Sequence, residues 1–349
     1  MDLKRSARTM DVSGSAERNH LYVLDFFRLL FAFYVLLSHT LSVIGVRNRL
    51  WVAVEFYFVL SGFLLAYSTV HNQRPFWSLI AARYFRFLPL NLTGGLLVLA
   101  VLPVDLLAFL RDIFCLNVWY GDDWNAPTWY LSVYLLCTFV CLGIIRYLRR
   151  EYCRNLVFAS IVVLSASVLL RHGIGPYGGE FWHGIPLRVL RGFCEMSIGV
   201  LAAGIPRATT SVRFPNMSVV GNLLLVAVCI CPCFYNVYPR FWLPYVLLCA
   251  VAIVSVSLKP KQCGYLSEIG RKCSKYAFPL FCTHYFLIYW VQDWMRAHAD
   301  ASWLHRGVVG FMTVLIGFGV AVLAHSFVQR PYDGLIRRLV DSRQKRMLA

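Results

Sequence analysis

Residues 22–44 read Tyr22-Val23-Leu24-Asp25-Phe26-Phe27-Arg28-Leu29-Leu30-Phe31-Ala32-Phe33-Tyr34-Val35-Leu36-Leu37-Ser38-His39-Thr40-Leu41-Ser42-Val43-Ile44. The run is apolar and long enough to cross a bilayer as one helix, which takes roughly 20 residues. Yet Arg28 and His39 lie well inside it. Eleven residues turn a helix by about 1100°, close to three full turns, so both side chains share one face, roughly 16 Å apart along the axis. A guanidinium in a membrane span costs roughly 2.5–3.5 kcal/mol on insertion scales. The pair therefore belongs on a bundle interior or a watery cavity, as a polar column running from one side of the membrane toward the other.

The chain has 349 residues, 59% hydrophobic and 15% charged. A soluble domain of that size cannot hide so much apolar surface, so the expected class is an all-α polytopic membrane bundle. Ten spans are expected, near 22–44, 52–70, 88–108, 129–147, 155–170, 186–205, 217–236, 241–258, 276–295 and 307–328. Most of the 34 Lys and Arg then fall on the side of the amino terminus. Loops rich in these residues stay in the cytoplasm, which predicts both termini there. A basic rim facing anionic lipid accounts for the formal net charge of +17 without nucleic acid. The expected organisation is a basic disordered cytoplasmic tail over 1–20, a membrane domain over 21–329, and a basic amphipathic cytoplasmic tail over 330–349. No expected loop exceeds about 20 residues, too short for an extramembrane catalytic domain, which needs at least ~50. Any chemistry belongs inside the bundle or at its mouths.

The second span begins Val54-Glu55-Phe56-Tyr57-Phe58-Val59-Leu60-Ser61-Gly62-Phe63. Glu55 enters near the outer surface, at about the depth of His39, and a carboxylate there wants a partner. His39 is the nearest candidate by topology, and such a pair would orient the imidazole. Ser61-Gly62 favours close helix approach. Arg83 and Arg86, in Arg83-Tyr84-Phe85-Arg86-Phe87-Leu88-Pro89, share a helix face at the cytoplasmic boundary and suit the phosphates of a donor. Acidic and aromatic residues before the fourth span, followed by Trp129 and Tyr134, suit sugar hydroxyls and pyranose faces at an outer mouth, and equally suit plain interfacial anchoring. In the sixth span Arg191 and Glu195 have ion-pair spacing, so Arg188 and Arg191 either neutralise acids or line a path. His284 is placed about a third of the way in from the cytoplasm. Cys229, Cys231 and Cys233 are dense, but no His or carboxylate lies nearby to complete a site, and no metal is expected.

Four of these pieces together resemble the acyltransferase-3 membrane proteins that acylate carbohydrates of bacterial envelopes. They are Arg28 and His39 with ten residues between, Glu55 through Phe63, the turn from Arg83 to Pro89, and the late histidine His284. The resemblance implies a ten-helix bundle in a bacterial inner membrane that takes acyl groups, commonly acetyl, from cytoplasmic acetyl-CoA to a carbohydrate hydroxyl at or beyond the outer face. By position, His39 is its catalytic residue, with Glu55 as acidic companion. Arg28, Arg83, Arg86 and His284 serve the acyl-CoA, and Trp129, Tyr134, Arg188 and Arg191 are the candidates for acceptor contact. Two positions depart from the family. Its Trp-Ser-Leu-x-x-Glu stands here as Trp129-Tyr130-Leu131-Ser132-Val133-Tyr134, and its Glu-x-Pro as Gln329-Arg330-Pro331. The competing reading is a secondary transporter whose Arg28, Arg188, Arg191 and Glu195 line a path for an anionic or sugar-linked solute. Neither paired broken helices nor a repeat is evident for it.

Overall fold

The computed structural model describes residues 3–69, 74–121, 124–174, 180–208, 217–234, 241–258, 265–336 and 338; side chains are described for these except at 3–22, 207–208, 217–219, 234 and 266–267. The described chain is almost wholly helical. The first half holds α1 (Leu3–Val43), α2 (Ala53–Thr69), α3 (Phe76–Leu99), α4 (Leu106–Ile113), α5 (Asn117–Tyr120), α6 (Trp129–Tyr147) and α7 (Glu151–His172). A two-residue antiparallel pair, β1 (Phe181–Trp182) and β2 (Ile185–Pro186), precedes α8 (Leu187–Ala202) and α9 (Gly204–Ala208). Then come α10 (Met217–Phe234), α11 (Trp242–Ser257), α12 (Tyr265–Cys273), α13 (Ala277–Thr283), α14 (Tyr285–Ala297) and α15 (Trp303–Ala324), the last continued by a π-turn over His325–Gln329.

Helices dominate because a backbone in hydrocarbon must satisfy its own N–H and C=O groups. Among the described residues six stretches are long and apolar enough to cross a membrane: Val23–Val43, Leu50–Thr69, Ala126–Tyr147, Glu151–His172, Leu187–Pro206 and Trp303–Ile336. Val220–Cys233 and Trp242–Ser257 are shorter apolar helices. α1 runs back through the stretch expected to be a tail, as far as Leu3. Of the expected tail over 330–349, most lies outside the described residues. Two expected elements are reshaped. The Arg83–Pro89 segment is the interior of α3, with Pro89 inside the helix. The ninth expected span is broken at His284 into α13 and α14.

The packing centre is the pair α2 and α8. Glu55, Val59 and Gly62 recur at helical spacing and turn one face of α2 to α8. A Cβ on Gly62 would stand 2.0 Å from the Met196 carbonyl oxygen, and one on Gly199 2.0 Å from that of Val59. The two backbones touch, as small residues allow in membrane bundles. Gly94 of α3 meets the Cys282 carbonyl oxygen of α13 at 2.1 Å in the same sense. Around this contact sit the fully buried rings of Phe31, Phe56, Phe58 and Phe63, with Phe31 and Phe56 centroids 4.6 Å apart.

Gly62→Ala and Gly199→Ala must each push α2 from α8, and overpacking of this kind costs about 1–3 kcal/mol. The unfolding midpoint of detergent-purified protein should fall for both. Gly319→Ala, where a Cβ meets nothing within 4 Å, should not lower it.

Candidate active site

Arginines from three segments converge on one cavity of about 450 Å³. Arg28 comes from α1, Arg74 from the chain before α3, and Arg83 and Arg86 from successive turns of α3. Arg28 also pairs with Asp25 at 3.0 Å, and Arg83 Nη1 donates to Leu79 O at 3.1 Å. Tyr57, Tyr130 and Phe281 also line the cavity, their rings 5.5–6.2 Å from one another. Tyr57 donates to the backbone carbonyl of Arg28, locking α2 to α1 beside the guanidinium. Among the described residues that line the cavity four are arginines and none is acidic, a lining whose chemistry suits an anionic group.

Phe281 lies one helical turn before His284 on the same stretch of chain. His284 is fully buried and its ring centroid is 5.5 Å from that of His39, which is only partly buried. Tyr285 stands edge-on to His39 at 5.1 Å. The contact lies at the junction of α13 and α14. Thr283 Oγ1 donates to Pro279 O at 2.8 Å, and His284 Nδ1 bonds Leu280 O at 2.9 Å, each one turn back along α13. A carbonyl only accepts, so Nδ1 carries the proton and Nε2 is left with its lone pair. Among the described residues Nε2 has no hydrogen-bond partner. His284 sits beside His39.

The expected pair of Glu55 with His39 is not formed. Glu55 is fully buried and accepts from Arg191 Nε at 2.9 Å. Arg191 Nε also lies 3.5 Å from Glu195 Oε1, which accepts from Trp242 Nε1 at 2.8 Å. The reason is the rotation of α2, whose α8-facing side carries Glu55 toward Arg191. Trp129 joins this cluster, with the guanidinium carbons of Arg188 and Arg191 4.9 Å and 5.2 Å from its ring. Trp129, Arg188 and Arg191 are thus brought together, whereas Tyr134 is apart from them on the basic cavity, stacked on Tyr130. Arg28, Arg83 and Arg86 come together on the cavity, and His284 lies against His39. Reading the sequence missed Arg74 and the ring trio of Tyr57, Tyr130 and Phe281, which no motif distinguishes from core.

Removing one partner of a buried ion cluster leaves an uncompensated charge and costs about 3–5 kcal/mol. Arg191→Met should therefore sharply reduce folded protein recovered from membranes. Restoring recovery by adding Glu55→Gln and Glu195→Gln would show that the loss is electrostatic.

No curated protein and no solved structure matches the chain. A family model described as an acyltransferase domain, that of the acyltransferase-3 proteins, matches residues 21–323. The match takes in both histidines, the arginine-lined cavity and the ion cluster between α2 and α8. The chain belongs to the acyltransferase-3 family.

Proposed function

We propose that this acyltransferase moves an acyl group, acetyl in the first instance, from cytoplasmic acyl-CoA to a hydroxyl of an envelope or secreted carbohydrate. The setting we propose is a ten-span bundle in a bacterial inner membrane, with both termini cytoplasmic. The observation that carries the reading is a polyarginine cavity that ends one helical turn from a pair of contacting imidazoles. Family membership favours transfer over the transport alternative.

In this reading Arg28, Arg74, Arg83 and Arg86 hold the donor phosphates and the pantetheine arm runs along Tyr134, Tyr130 and Phe281. The thioester then reaches the histidines. His39, the more accessible of the two, removes the proton of the acceptor hydroxyl. The alkoxide oxygen forms a bond to the thioester carbon, the carbon–sulfur bond breaks, and the departing thiolate takes the proton from the imidazolium. The products are an ester and free CoA, and His39 is returned neutral. His284, its own Nδ1 proton held by Leu280, offers a lone pair in the adjoining ring and supports the imidazolium. Glu55 acts through the bundle instead, as a counter-charge for Arg191.

Loss of a general base typically costs 10²–10⁴-fold. His39→Ala is expected to lose transfer of label from acetyl-CoA to membrane glycans by about that factor, with an unchanged unfolding midpoint; wild-type turnover in this variant would defeat the assignment. Arg83→Ala and Arg86→Ala are expected to raise KM for acetyl-CoA more than they lower kcat, and the KM defect to shrink at high salt as screening weakens the native contact. Mass spectrometry of envelope and secreted glycans, with and without the protein, should show one acyl group gained.

A further inference from the structure

The segment between α4 and α6 is packed with polar side chains, and nearly all are matched. Asn117 Nδ2 donates to Asp112 Oδ1 and to Thr128 Oγ1, each at 3.0 Å. Ser132 donates to Asn117 Oδ1, and Asn91 Nδ2 donates to Asp112 O at 3.1 Å. Asn125 differs from its neighbours. It is 1% exposed, yet among the described residues neither Nδ2 nor Oδ1 has a hydrogen-bond partner. Buried amides are normally satisfied, and one left with both halves unmatched asks for an explanation.

Its location supplies one. Asn125 Nδ2 lies 3.8 Å from where a Cβ of Gly94 would stand, and the Cys282 carbonyl oxygen lies 2.1 Å from that same point. The amide thus lies near the crossing of α3 with α13, whose Cys282 is two residues before His284. From the other side Tyr289 donates to Trp124 O at 2.7 Å, tying the segment to α14. The Tyr289 ring contacts Tyr285 at 5.4 Å, and Tyr285 contacts His39. Asn125 thus follows directly on a residue linked through two tyrosines to His39.

An amide with a free donor and a free acceptor is complemented by a group that also donates and accepts. A carbonyl or oxyanion meets only the N–H, an ammonium only the oxygen; a hydroxyl meets both. The hydroxyl being acylated gives its proton to His39, so the one Asn125 holds is a neighbour of it. We propose that Asn125 binds a second hydroxyl of a polyol acceptor, next to the one acylated, and so selects carbohydrates over simple alcohols and water. This rests on the acyltransfer reading above.

The test uses the full-length protein in membrane vesicles carrying the host's own glycans, with radiolabelled acetyl-CoA, scoring label in glycan and free CoA thiol separately. Asn125→Leu is expected to lose label transfer by about 10²-fold or more, because a site built around a hydroxyl contact discriminates strongly on it. KM for acetyl-CoA and the slow release of thiol to water should stay as in wild type. The unfolding midpoint should hold or rise, since the variant removes a partnerless buried amide. Asn125→Ser, with a donor and an acceptor on a shorter arm, should keep part of the transfer. Undiminished label transfer in Asn125→Leu overturns the proposal, as does loss accompanied by a lowered midpoint in both variants, which would make Asn125 structural. A wild-type protein that releases no thiol and transfers no label defeats the acyltransfer reading itself, and this one with it.

Discussion

Arg191, buried between Glu55 and Glu195, is the interaction on which the rest of the bundle depends. In a low-dielectric interior a buried guanidinium is not tolerable without a partner. The attraction of Arg191 for Glu55 therefore fixes the rotation of α2 against α8. Gly62 and Gly199 then let the two backbones meet at the spots where a larger residue would hold them apart. With one face of α2 committed in this way, Tyr57, Ser61 and Leu64 are turned to the other side, where they line the arginine cavity. A structural ion cluster thereby orients residues it never touches.

The second constraint is the rule that backbone groups within a bilayer must be satisfied locally. Where the helix breaks at His284, the side chains of Thr283 and His284 turn back to carbonyls of α13. The bond to Leu280 O has two consequences. It holds the imidazole against its own helix, and it fixes which nitrogen of His284 keeps its proton. The histidine is placed and its tautomer chosen by the same contact, which gives the imidazole pair a defined chemistry before any ligand arrives.

The arginine cavity and the histidine pair occupy successive levels of one interior, joined by the run from Phe281 to His284. Guanidiniums line one part, aromatic rings follow, and the two imidazoles come last. In the polar segment between α4 and α6, Asn117 is bonded to Asp112, Thr128 and Ser132, while the Asn125 amide has no partner among the described residues.

The sequence by itself determined the class: a run such as 22–44 is too apolar for solvent and too charged for lipid, so it belongs to a bundle with a polar interior. It also put Arg83 and Arg86 on one helix face by periodicity, and the structure finds them lining one cavity with Arg28. Helical spacing likewise foretold the contact of Arg191 with Glu195. Tertiary structure alone decided the rest. Glu55 sits at a depth that suits His39, but depth says nothing of rotation, and the rotation of α2 gives it to Arg191. His284 lies on a helix far from α1 in the chain, and hydropathy does not say that its ring meets that of His39. Periodicity reports what lies along one helix, whereas which face meets which neighbour depends on packing between helices far apart in the chain.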